Sequence, residues 1–190
     1  QLSDFIDYLS LDEITLLGVS MGGALASNYA ANNPAKVKSL MLNVPFVGTQ
    51  TIGLANFASI PVLWDFYLRF FIINKLVQRG GGLTEDKQDP QHFIKQFDVI
   101  GTQNAFSSLM KNFIKHDFYN DYQLINDNKI PLHITYATDD EDVPIDSILK
   151  AIELVPDAKT FSFNGGHNII NSRTKEIVSL INDFKESLNN

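Results

Sequence analysis

The sequence predicts an α/β fold, a mostly parallel sheet flanked by helices and interrupted by a helical insert. Three observations lead there. Short apolar runs suited to buried strands alternate with helical stretches over the first 45 residues, and again after residue 130. The segment between them loses that alternation and carries its apolar residues at helical spacing. A balance of 44% hydrophobic to 19% charged residues in a chain of 190 suits one compact unit with an ordinary core rather than disorder.

Leu2, Phe5, Ile6 and Leu9 recur at i, i+3, i+4 and i+7, so the chain opens on an amphipathic helix, already inside a folded unit and with no signal peptide visible. Ile14 to Val19 is a short apolar run of the kind found in buried parallel strands. Met21 to Asn32 follows as a helix with Gly22, Gly23, Ala24 and Ala26 on its packing side, closed by Asn32, Asn33 and Pro34. Val37 to Val44 is a second strand, stopped by Pro45. From Phe46 to Lys129 the spacing is helical, as in Phe66, Phe70, Ile73 and Val77, and Gly80, Gly81 and Gly82 break it with a flexible turn. This segment holds 14 of the 21 aromatic residues, an enrichment that points either to apolar surface beyond its own packing or to a packed core of its own. Alternation resumes with a strand over Ile130 to Ala137, a helix over Ile145 to Val155, a strand over Thr160 to Phe163, a loop over Asn164 to Asn171 and a helix over Thr174 to Leu188. The boundaries that follow are 1–45 and 130–190 for two core segments and 46–129 for the insert.

Composition narrows the function. A formal charge of −7 disfavours nucleic acid, which needs a basic face to displace counterions from phosphate. The most apolar stretch, Val62 to Ile73, is broken by Asp65 and Arg69 and is shorter than the roughly 20 residues of a membrane span. With no cysteine, disulfides, thiolate metal sites and cysteine nucleophiles are excluded.

Gly18-Val19-Ser20-Met21-Gly22 fits G-x-S-x-G and falls between a predicted strand and a predicted helix, where a sharp turn would expose a serine hydroxyl. Such a turn strains the backbone at the serine and demands small neighbours, which Gly18, Gly22 and Gly23 supply. The helix that begins there also aims unpaired N–H groups at the place where an oxyanion would form. A serine is a poor nucleophile until an imidazole takes its proton, and the imidazole needs a carboxylate to fix its tautomer. Of the four histidines, His92 and His116 lie in the insert and His133 within a strand; His167 follows Asn164-Gly165-Gly166 in a strand-end loop. Asp139, Asp140 and Asp142 share the loop after Ala137, with Asp140 preferred and the others read as helix caps near Pro144 or solvated carboxylates. The same acidic run lacks the glycine and distal glutamate of a calcium loop.

These pieces resemble the α/β-hydrolase fold superfamily of serine hydrolases. Leu16 to Gly23 resembles its nucleophile elbow, Ala137 to Pro144 its acid turn and Gly165-Gly166-His167 its histidine loop, in the superfamily's order of Ser, Asp, His. The acid-turn pattern lands on Asp140, with Ala137 where glycine is usual. The resemblance implies catalysis by Ser20, Asp140 and His167, an oxyanion donor at the Met21 N–H, no cofactor and no metal. It also implies that the insert is a cap whose Trp64, Phe66, Tyr67, Phe70 and Phe71 favour an apolar acyl or alkyl group on a small-molecule ester. A weak or inactive binding protein on the same fold, and a thioester or C–C bond hydrolase, are the alternatives. The superfamily's sheet usually has eight strands, of which four are present here, with the N-terminal strands missing. No His-Gly dipeptide marks the usual second oxyanion donor. The strand Ile14 to Val19 would then be an open apolar edge, so the chain is expected to be a fragment or to self-associate or pair with a complementing chain there.

Overall fold

The structure, a computed structural model, describes residues 1–48, 60–72, 95 and 98–188. Four strands form one parallel sheet in the order β1-β2-β3-β4, with β1 Ile14–Val19, β2 Val37–Asn43, β3 Leu132–Ala137 and β4 Lys159–Phe163. The expected parallel sheet flanked by helices is what the chain forms. β1 and β2 run in register from Thr15↔Ser39 to Val19↔Asn43 after an irregularity at Ile14. The carboxyl ends of all four strands therefore point the same way, and the loops that follow them gather at one edge.

Helices cover both faces. On one, α2 (Met21–Asn32) lays Ala26, Tyr29 and Ala30 over Leu40, Leu42 and Ile134, with Tyr122 and Ile125 beside them. Its small residues let the helix approach the sheet closely. On the other, the last helix (Thr174–Ser187) brings Ile177 and Phe184 into the core, and Phe184 stands edge-on to His133 of β3. His133 is buried and bonds Thr135 Oγ1 through Nε2 at 2.9 Å; burial, reinforced by Lys159, pushes its pKa down. It is a core histidine, as its place in a strand implied. The opening helix, α1 (Leu2–Tyr8), buries Ile6 and leaves Leu2, Phe5 and Leu9 exposed, so its apolar stripe is only partly used.

The chain divides into two compact units, residues 1–47 with 117–190, and residues 48–116. The expected boundary at 129 thus moves to 116. The helix Phe118–Asp127 buries Phe118, Tyr122 and Ile125 and packs on α2, so it belongs to the sheet's unit. In the second unit, Pro61–Tyr67 is α-helical and runs into a π-helical turn at Leu68–Ile72, and Thr102–Lys115 is a further helix. Ser107 Oγ donates to Asp65 at 2.8 Å and ties the two together. Gly80 to Gly82, Ile73, Val77 and His92 lie outside the described residues. Among the described residues, no helix is long and apolar enough to cross a membrane.

Candidate active site

β1 ends at Val19 and α2 begins at Met21, leaving Ser20 alone to make the turn with φ 52° and ψ −120°. A non-glycine residue rarely takes that backbone, and the turn closes only because its neighbours are small. A Cβ on Gly18 would lie 2.5 Å from the Gly22 carbonyl oxygen and 2.6 Å from the Gly23 Cα, and one on Gly23 would lie 2.8 Å from the Pro45 Cβ. Gly22 differs from expectation, since no described atom lies within 4 Å of where its Cβ would stand. Gly18→Ala is therefore expected to lower stability by about 1–3 kcal/mol through overpacking, or about 2–12 °C in Tm for a chain of this size. Gly22→Ala, in open space within the helix, should instead raise the Tm by about 1–4 °C, and thermal unfolding of the pair checks both.

Ser20 is the cap residue of α2, yet its hydroxyl bonds no amide of the helix. It lies 2.7 Å from Nε2 of His167 instead, and Nδ1 of that ring lies 2.8 Å from Asp140 Oδ2. The other oxygen, Asp140 Oδ1, accepts from the amides of Asp142 and Val143, both at 2.9 Å, which locks the carboxylate's orientation. Burial pushes the Asp140 carboxyl up, but the bond from His167, the Val143 and Asp142 amides and the charge of His167 hold it below its ordinary value. An ionised carboxylate only accepts, so Nδ1 carries the ring proton and Nε2 is left to accept from the Ser20 hydroxyl. The bond to Asp140 raises the His167 pKa; burial opposes it, and the charges of Asp140 and Asp142 add to it.

Asp139 caps no helix and is exposed, as its reading as a solvated carboxylate implied, but it also joins two loops. Its N–H donates to the Gly165 carbonyl at 3.0 Å, and its Oδ2 accepts from the Gly165 N–H at 3.1 Å. The acid turn and the histidine loop are stitched together next to the Asp140–His167 bond. Gly165 takes φ 140°, which suits glycine alone. The helix Ile145–Glu153 has no side-chain cap, so neither Asp139 nor Asp142 serves as one. Residues 169–171, expected as loop, belong to a short helix, Ile169–Ser172, with Ile169 buried.

Met21 opens α2, so its N–H has no acceptor within the helix. His116 is exposed at the end of the helix Thr102–Lys115. In the second unit, Phe66, Phe70 and Phe71 are exposed and Tyr67 half-buried, with Phe66 and Phe70 centroids 4.6 Å apart and Tyr67 stacked on Phe71 at 5.5 Å. Trp64, expected beside them, is 1% exposed. Asp140, Asp142 and His167 bring one ligand atom each within 4.8 Å, but two of the three are already spent on each other and on Ser20.

The alpha/beta hydrolase fold family matches residues 1–172 of this sequence. The chain belongs to that family. Its similarity extends to a 2-hydroxy-6-oxo-2,4-heptadienoate hydrolase of Pseudomonas putida, 24% identical over 191 residues that cover 96% of this chain and 67% of the relative. A 2-hydroxy-6-oxononadienedioate/2-hydroxy-6-oxononatrienedioate hydrolase of Dechloromonas aromatica is 26% identical over 173 residues, covering 86% of this chain and 58% of the relative. Of these two curated relatives the chain thus spans 67% and 58% of the length. Among solved structures, a carboxylesterase structure from Nitrososphaera gargenis aligns with a TM-score of 0.72 at 17% identity, covering 99% of this chain and 70% of that one. The α/β-hydrolase chain described here is a member of a family of hydrolases, with its strand-to-helix turn, acid loop and histidine loop all on the sheet's carboxyl edge.

Proposed function

We infer that this α/β hydrolase is a serine hydrolase that cleaves a carboxylic ester bearing an apolar acyl or alkyl group. The observation that carries the reading is the continuous chain from Ser20 Oγ through His167 to Asp140, at 2.7 and 2.8 Å. Ser20 Oγ attacks the ester carbonyl while His167 Nε2 takes its proton, and the tetrahedral oxyanion meets the Met21 N–H at the positive end of α2. His167 returns the proton to the departing alkoxide, which leaves as the alcohol. Water, deprotonated by the same Nε2, then attacks the acyl-serine and releases the carboxylic acid and free Ser20. Asp140 holds the ring tautomer and stabilises its charged form. The residues of this cycle need no cofactor and no metal. The exposed rings of Phe66, Phe70 and Phe71, with Tyr67, give the second unit an apolar surface of the kind an apolar acyl or alkyl group would favour.

A second reading has its own support: the two curated relatives named above are a 2-hydroxy-6-oxo-2,4-heptadienoate hydrolase and a 2-hydroxy-6-oxononadienedioate/2-hydroxy-6-oxononatrienedioate hydrolase. The C–C bond of a vinylogous diketone would be hydrolysed at the same serine. A series of p-nitrophenyl esters from acetate to decanoate, run beside a coloured 2-hydroxy-6-oxo-dienoate, separates the two. We expect kcat/KM to rise at least about tenfold from acetate to octanoate, since each buried CH₂ is worth about 0.8 kcal/mol. Turnover of the dienoate alone would replace the ester reading with the C–C one. Turnover of neither by a folded chain would leave the binding-protein alternative.

A further inference from the structure

The strain at Ser20 needs something to hold it, because a backbone in such a region persists only where its surroundings over-determine it. Residues 43–46 do the holding. The Ser20 N–H donates to the Asn43 carbonyl at 3.0 Å, and the Ser20 carbonyl accepts from the Phe46 N–H at 2.9 Å. Both bonds reach one residue from positions three apart, so the two residues between must bend the chain off the end of β2 and back across the turn. Pro45 is one of them, and it lies against Gly23, where an added Cβ would come within 2.8 Å of its own.

Val44 is the other. It takes φ 42°, a left-handed conformation that a β-branched residue seldom adopts. Its N–H donates to the Thr135 carbonyl at 2.7 Å, which anchors the bend to β3. Its side chain is 2% exposed and belongs to one buried cluster with Ala137 and Ile169, against which Val19 packs. Val19 precedes Ser20, Ala137 leads into the acid turn and Ile169 lies two residues past His167. Glycine would adopt the bend without strain, but it would leave the cluster empty. A valine here is a local conflict, of the kind expected where the demands of a site override backbone preference.

We propose that Val44 is a positioning residue, whose left-handed backbone and buried side chain hold Ser20 in its strained turn and align the acid and histidine segments beside it. The effect on rate rests on the serine-hydrolase reading; the effect on the Ser20 backbone does not. The test compares Val44→Gly and Val44→Thr with the parent chain, by the second-order rate of covalent labelling with a fluorophosphonate and by amide hydrogen exchange. Val44→Gly is expected to slow labelling at least about tenfold and to speed exchange at the Ser20 and Phe46 amides by a similar factor, with exchange at Leu40 and Leu42 unchanged. Val44→Thr, which keeps the branched shape, should stay within about threefold of the parent in both. Should Val44→Gly fail to fold, Val44→Ala is read in its place. Labelling and exchange at parent rates would overturn the proposal, as would faster exchange spread evenly over Ser20, Leu40 and Leu42, the mark of a residue that only fills the core. If the parent takes no label, the hydrolase reading falls, and exchange at Ser20 and Phe46 still decides whether Val44 holds the turn.

Discussion

A Ser20→Ala variant is expected to lose all labelling by a fluorophosphonate and at least about 10⁴-fold of its ester turnover, since groups that act as a unit fail together when the nucleophile goes. Intact mass after exposure to the probe checks the first, with the parent gaining a single adduct. The turnover assay checks the second. Alanine keeps the Cβ that the turn already accommodates, so cooperative unfolding should survive. The hydroxyl removed makes no bond to an amide of α2, and its partner is His167. Stability and activity are thereby separated at one residue. An adduct on the alanine variant, or ester turnover that persists in it, would place the nucleophile elsewhere and sink the reading.

Asp140→Asn should cost about 10³–10⁴-fold in kcat, on the scale seen when the carboxylate of a triad is made neutral. Asparagine can still accept the Asp142 and Val143 amides through its carbonyl oxygen, so the turn has no reason to open. Its NH₂ would then face His167 Nδ1. That arrangement drives the ring proton to Nε2, where it meets the Ser20 hydroxyl as a donor and cannot take its proton. The pH profile carries a second signature. The base must be neutral to act, and the bond to Asp140 is the largest cause of a His167 pKa raised above its ordinary 6.5. Parent activity should rise with pH along a limb centred above 6.5, whereas the residual activity of Asp140→Asn should have its limb moved to lower pH. A limb that stays put in the variant would show that His167 is not the titrating base.

Much of this was legible in the chain. β1 and α2 have the bounds their residues imply, because an apolar β-type run and a small-residue helix meet at glycines that permit one kind of turn. Asp140 and His167 were legible through their strand-end loops. The role of Asp139 was not, because a carboxylate that accepts a backbone N–H looks in sequence like any solvated one. The helix Phe118–Asp127 carries the same apolar spacing as the insert, and periodicity does not say which unit a helix packs on. The one sign at Val44 was Asn-Val-Pro after an apolar strand, and nothing in those letters reveals a positive φ. Among the aromatics, Trp64 and Phe66 are two residues apart on one helix, and only packing separates the buried ring from the exposed one.

The bond between His167 and Ser20 spans 147 residues of chain, against 27 for the bond between His167 and Asp140. A ribosome adding about 5–20 residues per second makes the serine about 7–30 s before the histidine that would activate it. The elements that flank Ser20, β1, β2 and α2, are complete by residue 43, whereas the groups that anchor Val44, Thr135, Ala137 and Ile169, come later. The proton acceptor then arrives with the last strand-end loop. On the serine-hydrolase reading, Ser20 would wait unactivated while those 147 residues are made, and reactivity would follow only once β4 joins the sheet.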